Sequence, residues 1–233
     1  MLAQRSNEKE LIDLGPNYYS HQEYQQCMQK MFRVNQLLGI FHSTVRLLKK
    51  FPKANSLLDI GCGNGLFLLN LSKYFPTMKL QGSDICAEAI HLAQQSLKMW
   101  AQENPHIFVS FKLQEQKEIS LPENSVDIIL ATLVCHHLDH EELIEFLRKI
   151  FFSARTMVLI HDLHRHFLAY WIYRLISPIL FRNRLLTHDG LISIKRGFTR
   201  KEWEHLLKKT GIKNYQISWG FPFRWKVILW KEL

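Results

Sequence analysis

No long apolar run opens the 233-residue chain. Met1-Leu2-Ala3-Gln4-Arg5-Ser6-Asn7-Glu8 is mixed and polar, which argues against a signal peptide. Cysteine is sparse and unpaired in pattern: Cys27, Cys62, Cys86 and Cys135 show no C-x-x-C spacing. Reduced thiols in a cytoplasmic protein are the simplest reading, with no disulfide framework or zinc knuckle. Internal repeats and low-complexity tracts are absent. The longest greasy segment, Phe167 to Phe181, is too short to span a bilayer and is interrupted by Arg174 and Pro178. The phosphate-binding signatures are missing too. Leu66 stands where the last glycine of a dinucleotide fingerprint belongs, and Asn64-Gly65-Leu66-Phe67 lacks the Lys-Ser/Thr of a P-loop.

What is present is a chain with 47% hydrophobic residues, long enough for one α/β domain with a developed core. Residues 57 to 65, Leu-Leu-Asp-Ile-Gly-Cys-Gly-Asn-Gly, read as a buried parallel strand running into alternate glycines. Gly61, Gly63 and Gly65 leave a tight turn with no Cβ between the backbone and whatever lies on it. Asp59 precedes the first glycine. Asp84, 23 residues after Gly61, falls at the end of the next predicted strand, where a carboxylate accepts hydrogen bonds from a ribose diol. The turn therefore has room for a nucleoside but no phosphate signature.

Periodicity extends the pattern. Residues 1 to 20 read as an ill-ordered lead-in, followed by two helices between His21 and Lys50 that break near Gly39. Predicted strands cover 56–60, 79–83, 107–113, 126–132 and 157–160, alternating with helices at 66–74, 87–103 and from Asp139 to about 152. Phe75-Pro76 closes the first of these helices, since proline disfavours α conformation in the residue before it. Thr199-Arg200-Lys201-Glu202 is a capping box for a helix stopped by Gly211, and two strands, 214–219 and 225–231, finish the chain.

Asp-x-Gly-x-Gly-x-Gly followed by an acidic second strand resembles the class I S-adenosylmethionine-dependent methyltransferases, with the small-molecule, quinone-biosynthesis branch as the nearest likeness. The resemblance implies a Rossmann-like seven-stranded, mostly parallel sheet flanked by helices. Residues 1–54 would supply a lead-in and N-terminal helices. Residues 55–233 would form the methyltransferase domain, with a helical lid inserted after strand five at 163–198. It implies S-adenosyl-L-methionine as cofactor. Gly61 and Gly63, with Gly65 and Cys62 beside them, would hold the methionine end and Asp59 would support its ammonium. Asp84 would take the ribose hydroxyls and Ile85 one face of adenine. Gln114 or Glu115 would lie near the adenine amino group, and Leu133 would open the loop that faces the methyl group.

That loop, Thr132-Leu133-Val134-Cys135-His136-His137-Leu138, lacks the Asn/Asp-Pro-Pro-Tyr/Phe of members that methylate amide or base nitrogens. Histidine suits deprotonation of a phenol or enol near neutral pH, so His137 is a candidate base. Helix capping or packing beside the cofactor is the bland alternative. His161-Asp162-Leu163-His164-Arg165-His166 supplies further candidates: His161 or His164 lining an acceptor pocket, with Asp162 orienting one of them. These alternating positions leave no fixed fourth ligand, so no metal site is expected. The Asp-Leu-His-Arg-His and His188-Asp189-Gly190 stretches are faintly similar to bacterial methyltransferases of polyketide or phenolic products.

Charge is skewed. Residues 148–233 hold 17 Lys and Arg against 5 Asp and Glu, a balance of +12, while residues 1–147 hold 13 against 16, a balance of −3. With the greasy 167–181 segment, this points to a small hydrophobic acceptor. The basic third offers contact to a membrane surface or an acidic carrier protein, or is simply a solvated surface. An RNA acceptor, or a non-catalytic scaffold that binds cofactor, are the competing readings. No polar RNA-binding module is visible.

Overall fold

In a computed structural model of the chain, residues 2–114 and 121–231 are described. A seven-stranded sheet forms the centre: β1 (Ser56–Ile60), β2 (Lys79–Asp84), β3 (Val109–Leu113), β4 (Val126–Thr132), β5 (Ala154–Leu163), β6 (Tyr215–Gly220) and β7 (Arg224–Trp230). Their spatial order is β3-β2-β1-β4-β5-β7-β6. The first five are parallel, and β7 enters antiparallel between β5 and β6. The chain walks outward from β1 to β3, then returns to lay β4 against β1. The crevice at that reversal, beyond the carboxyl ends of β1 and β4, is where open α/β sheets bind ligands.

The helices are α1 (Leu11–Leu14), α2 (His21–Leu37), α3 (Ile40–Leu48), α4 (Leu66–Ser72), α5 (Ala87–Glu103), α6 (His140–Ser153), α7 (Phe167–Phe181), α8 (Arg184–Arg196) and α9 (Arg200–Thr210). β4 is apolar nearly throughout because helices cover both of its faces. Ile128 and Leu130 join Leu57, Met157 and Leu159 under α3, α4 and α5. Ile129 joins Val158, Ile160 and Val227 under α6 and α9, where Leu147, Ile150, Trp203 and Leu207 are sealed from solvent. The capping box read from sequence is made, Thr199 with Glu202 opening α9, and Asp139 with Glu142 forms another that opens α6.

Two expectations change and one is met. β5 runs from 154 to 163, not 157 to 160, because pairing to β7 carries the ladder past its apolar centre. The helical insert expected over residues 163–198 is there: α7 continues through Pro178 to Phe181 as one helix, and with α8 it makes up most of that stretch. The lead-in expected to be ill-ordered is tied down. Asp189 of α8 accepts the N–H groups of Leu11 and Ile12 (2.8 and 3.2 Å), Ser6 donates its N–H to the Lys195 carbonyl (3.1 Å), and Glu10 is buried. Both partners of each contact are polar backbone or side-chain groups, so hydrophobic periodicity carries no trace of this docking.

Candidate active site

β1 delivers Ile60 into the glycine turn. Gly61 has φ +72°, and a Cβ there would collide with the Val134 side chain from the β4 loop. Gly65 has φ +73° and is the N-cap of α4, its missing Cβ leaving room for the Phe111 ring. The first glycine thus lets two loops approach, while the third lets helix pack on sheet. The N–H groups of Gly61 and Cys62 both donate to the Ser83 carbonyl (2.8 and 3.0 Å), stitching the turn to β2. Asp84 completes that stitching. Its Oδ2 accepts the Gly63 N–H and its Oδ1 the Cys86 N–H, each at 2.9 Å.

Asp59 is fully buried behind the turn, and its Oδ1 has no hydrogen-bond partner. Burial, and secondarily the charge of Asp84, pushes its pKa well above the usual carboxylate range. Burial raises Asp84 as well, only partly offset by the Cys86 and Gly63 N–H groups. Asp59, buried with an orphan oxygen, and Asp84, half-buried, both favour protonation, a pair that would fit a cationic, diol-bearing ligand. Ile85 next to them is exposed and free to cover a flat ring. Gln114 donates its backbone N–H to the Asp84 carbonyl at 2.8 Å, which sets it at the same rim. Glu115 lies outside the described residues. These features fit the sulfonium nucleoside that the glycine turn calls for.

The β4 loop faces this seat. Leu133 has φ +60°, unusual for a branched side chain, and its N–H donates to the His161 carbonyl (2.8 Å). A 3₁₀ turn over Cys135–His137 follows. Two arginines from distant parts of the chain hold its carbonyls. Arg196, at the end of α8, donates to His136 O (2.8 Å) and His137 O (2.6 Å). Arg5 donates to His136 O (2.8 Å) and Leu138 O (2.7 Å).

The histidines of that turn divide in role. His136 is buried. Its Nδ1 lies 2.8 Å from Asp162 Oδ1 and its Nε2 lies 3.5 Å from Glu10 Oε1. Burial would depress its pKa, but Asp162 and Glu10 outweigh it and raise the imidazole to about 9. His136 is therefore a charged member of an internal ion cluster. His137 is half-buried, with Nδ1 at 3.0 and 3.2 Å from the two oxygens of Asp13. It is close enough to Asp84 to act on that carboxylate electrostatically.

The three histidines read as catalytic candidates are not brought together. His161 is buried under α3, its Nε2 at 3.1 Å from Thr44 Oγ1. The Thr44 hydroxyl donates to Ile40 O, so it accepts from His161, fixing the tautomer. Burial, with Lys226 and Arg224 nearby, pushes His161 down to about 3 and leaves it neutral. His164 accepts the indole N–H of Trp219 (3.2 Å) and packs beside Trp225, at the far edge of the sheet. Asp162 orients neither; it binds His136. Sequence reasoning missed Glu10, Asp13, His136, Arg5 and Arg196. The only available signal was their polarity, because the fold alone makes them neighbours. Glu10, His136 and His137 do place one donor atom each within 4.8 Å of one another, a geometry that could hold a cation. Two guanidinium groups on the same turn oppose a divalent ion there.

The methyltransferase-domain family model matches residues 30–217, and the chain belongs to that family. Fold and site together define a class I S-adenosylmethionine-dependent methyltransferase. Ajmaline N-methyltransferase of Rauvolfia serpentina is 26% identical over 114 residues, 48% of this chain and 38% of the relative. The tRNA (carboxymethyluridine(34)-5-O)-methyltransferase of Schizosaccharomyces pombe is 28% identical over 96 residues, 41% and 35% respectively. The matches thus span little more than a third of these relatives' length. Among solved structures, the plantazolicin methyltransferase BpumL, in complex with a triazolic desmethylPZN analog and SAH, superposes with a TM-score of 0.71. It is 20% identical, with 95% of this chain and 93% of that one covered.

Proposed function

We propose that the chain transfers a methyl group to a small hydrophobic acceptor, at an oxygen of a phenolic, polyketide or quinone-like molecule, with His137 as base. The observation that carries this reading is the His137–Asp13 pair at 3.0 Å beside the Asp84 carboxylate. Bound S-adenosylmethionine supplies an electrophilic methyl on a sulfonium. The chain's own residues do the rest. Asp59 offers an unpaired oxygen to an ammonium, and Asp84 retains lone pairs for a ribose diol while bracing the glycine turn. Asp13 holds His137 Nδ1–H, leaving Nε2 to take the acceptor proton. The arginine clamps on the 3₁₀ turn fix where that nitrogen points. An acidic acceptor oxygen within reach would be deprotonated as the methyl arrives.

The second reading, an RNA acceptor, draws on the basic last third and on the tRNA-modifying relative. One experiment separates them. Transfer of labelled methyl from S-adenosylmethionine is followed to a panel of lipophilic phenols and to total RNA, for wild type and His137→Ala. Transfer to phenols, falling about 10²-fold or more in kcat in the variant with cofactor affinity retained, supports the base assignment. Transfer to RNA alone, with a steep salt dependence, would replace it.

A further inference from the structure

α7 is amphipathic in the reverse sense for a soluble helix. Phe167, Leu168, Trp171, Ile172, Leu175, Ile176, Ile179 and Leu180 all face solvent, with Leu175 at 68% and Ile179 at 78% exposure. At helical spacing these positions cover more than half of the circumference. The inner face is small or polar-tipped: Ala169, Tyr170 and Ser177 are buried, and the Tyr173 hydroxyl donates to the Leu186 carbonyl. A second element extends the patch. The turn between β6 and β7 meets the start of α7, where Phe223 stacks on His166 at 5.0 Å, and it exposes Trp219 and Phe221, the latter by 78%.

The charges carried by this stretch of chain are of one sign. From Phe167 to His188 there is no Asp or Glu. Arg174, Arg182 and Arg184 are exposed along the same stretch, Arg174 lying over the Trp171 ring at 5.3 Å. Arg184 meets Glu23 of α2 at 3.1 Å. A convex apolar helix with arginines at its rim and aromatics beside it matches an element that lies in the headgroup layer rather than crossing it. No described helix is long and apolar enough to cross a membrane. A second copy of the chain would bring like charges of a +12 region together, whereas an anionic bilayer complements them.

We infer that α7, with the Trp219–Phe221 turn, docks the protein on an anionic lipid surface. This goes beyond the proposed reaction and does not depend on it, since adsorption requires neither cofactor nor acceptor. The surface would set α7 in the acyl boundary, with Arg174 and Arg182 among lipid phosphates.

The test is co-sedimentation of the full chain with phosphatidylcholine vesicles, alone or carrying about one-third phosphatidylglycerol. It is repeated with Leu175→Glu/Ile179→Glu and, separately, with Arg182→Glu. Both apolar positions are exposed, so the core is untouched. Unchanged melting and unchanged calorimetric binding of S-adenosylhomocysteine verify the fold and report on the cofactor site separately. The expected result is partition onto anionic vesicles that weakens with salt. It should fall about tenfold or more in the double variant and several-fold in Arg182→Glu. Wild type that stays in solution with anionic vesicles would overturn the inference, as would a double variant that binds them equally well. Wild type that dimerises through α7 by sedimentation velocity and ignores lipid would assign the face to self-association instead.

Discussion

Asp59 is buried behind the glycine turn, with Oδ1 unpaired and the charge of Asp84 acting on it. Such a group costs stability until a cation arrives. Asp59→Asn should therefore raise the unfolding free energy of the cofactor-free protein by about 1–2 kcal/mol while weakening cofactor binding about tenfold or more. Thermal unfolding with and without cofactor reads both. A variant neither stabilised nor weakened would remove Asp59 from the seat. His136 makes a different claim, through pH. Below pH 6.5 it is protonated folded and unfolded; above, the unfolded chain loses the proton while the folded one keeps it to about 9. Its contribution, on the order of 3 kcal/mol, is therefore present below pH 6.5 and lost as pH rises toward 9. His161 acts in the opposite direction, neutral when folded down to about pH 3, so stability is lost as pH falls below 6.5. Urea unfolding should show an alkaline limb that flattens in His136→Gln, and an acid limb that flattens when His161 is replaced by Asn.

At the scale of elements, the decisive contact is between the 3₁₀ turn at 135–137 and two partners far away in sequence. Arg196 ends α8 and Arg5 lies in the N-terminal segment, yet both donate to the carbonyls of the turn. These carbonyls follow a left-handed Leu133, so the loop has no ladder of its own to hold it. Arg196→Lys keeps the charge but loses the fork that reaches two carbonyls at once. We expect it to cost about 2 kcal/mol of stability and to lower kcat more than cofactor affinity, by stopped unfolding and steady-state kinetics. Equal losses in kcat and cofactor affinity would mean that the turn supports the seat rather than the chemistry.

For the whole molecule, the N-terminal segment is tied across the β4 loop and α8. It supplies Arg5, Glu10 and Asp13, and α1 is capped by Asp189 from α8. Removing residues 2–14 should leave the sheet folded, because both core clusters around it draw on no residue before Phe32. Cofactor binding, measured by calorimetry, should persist, and methyl transfer should fall by about 10² or more as His137 loses Asp13. Full activity in the truncated chain would refute the orienting role of Asp13.

The amino-acid order by itself determined the frame. Apolar runs, capping boxes and glycines are local signals of 3 to 17 residues, and periods of two and 3.6 decide strand and helix before any distant contact forms. The tight Gly61 to Gly65 turn was legible for the same reason, since alternate glycines after an apolar strand mark a bend with positive φ. Only the tertiary structure decided which histidine met which acid. Asp162 is adjacent to His161 in sequence but bonds His136 across 26 residues, because alternate positions on β5 face opposite sides of the sheet. It also set the apolar face of the expected helical insert outward, and tied an expected ill-ordered lead-in to α8 and the β4 loop. Those outcomes depend on contacts between segments from 26 to 178 residues apart, which carry no periodicity and exist only once the chain has folded.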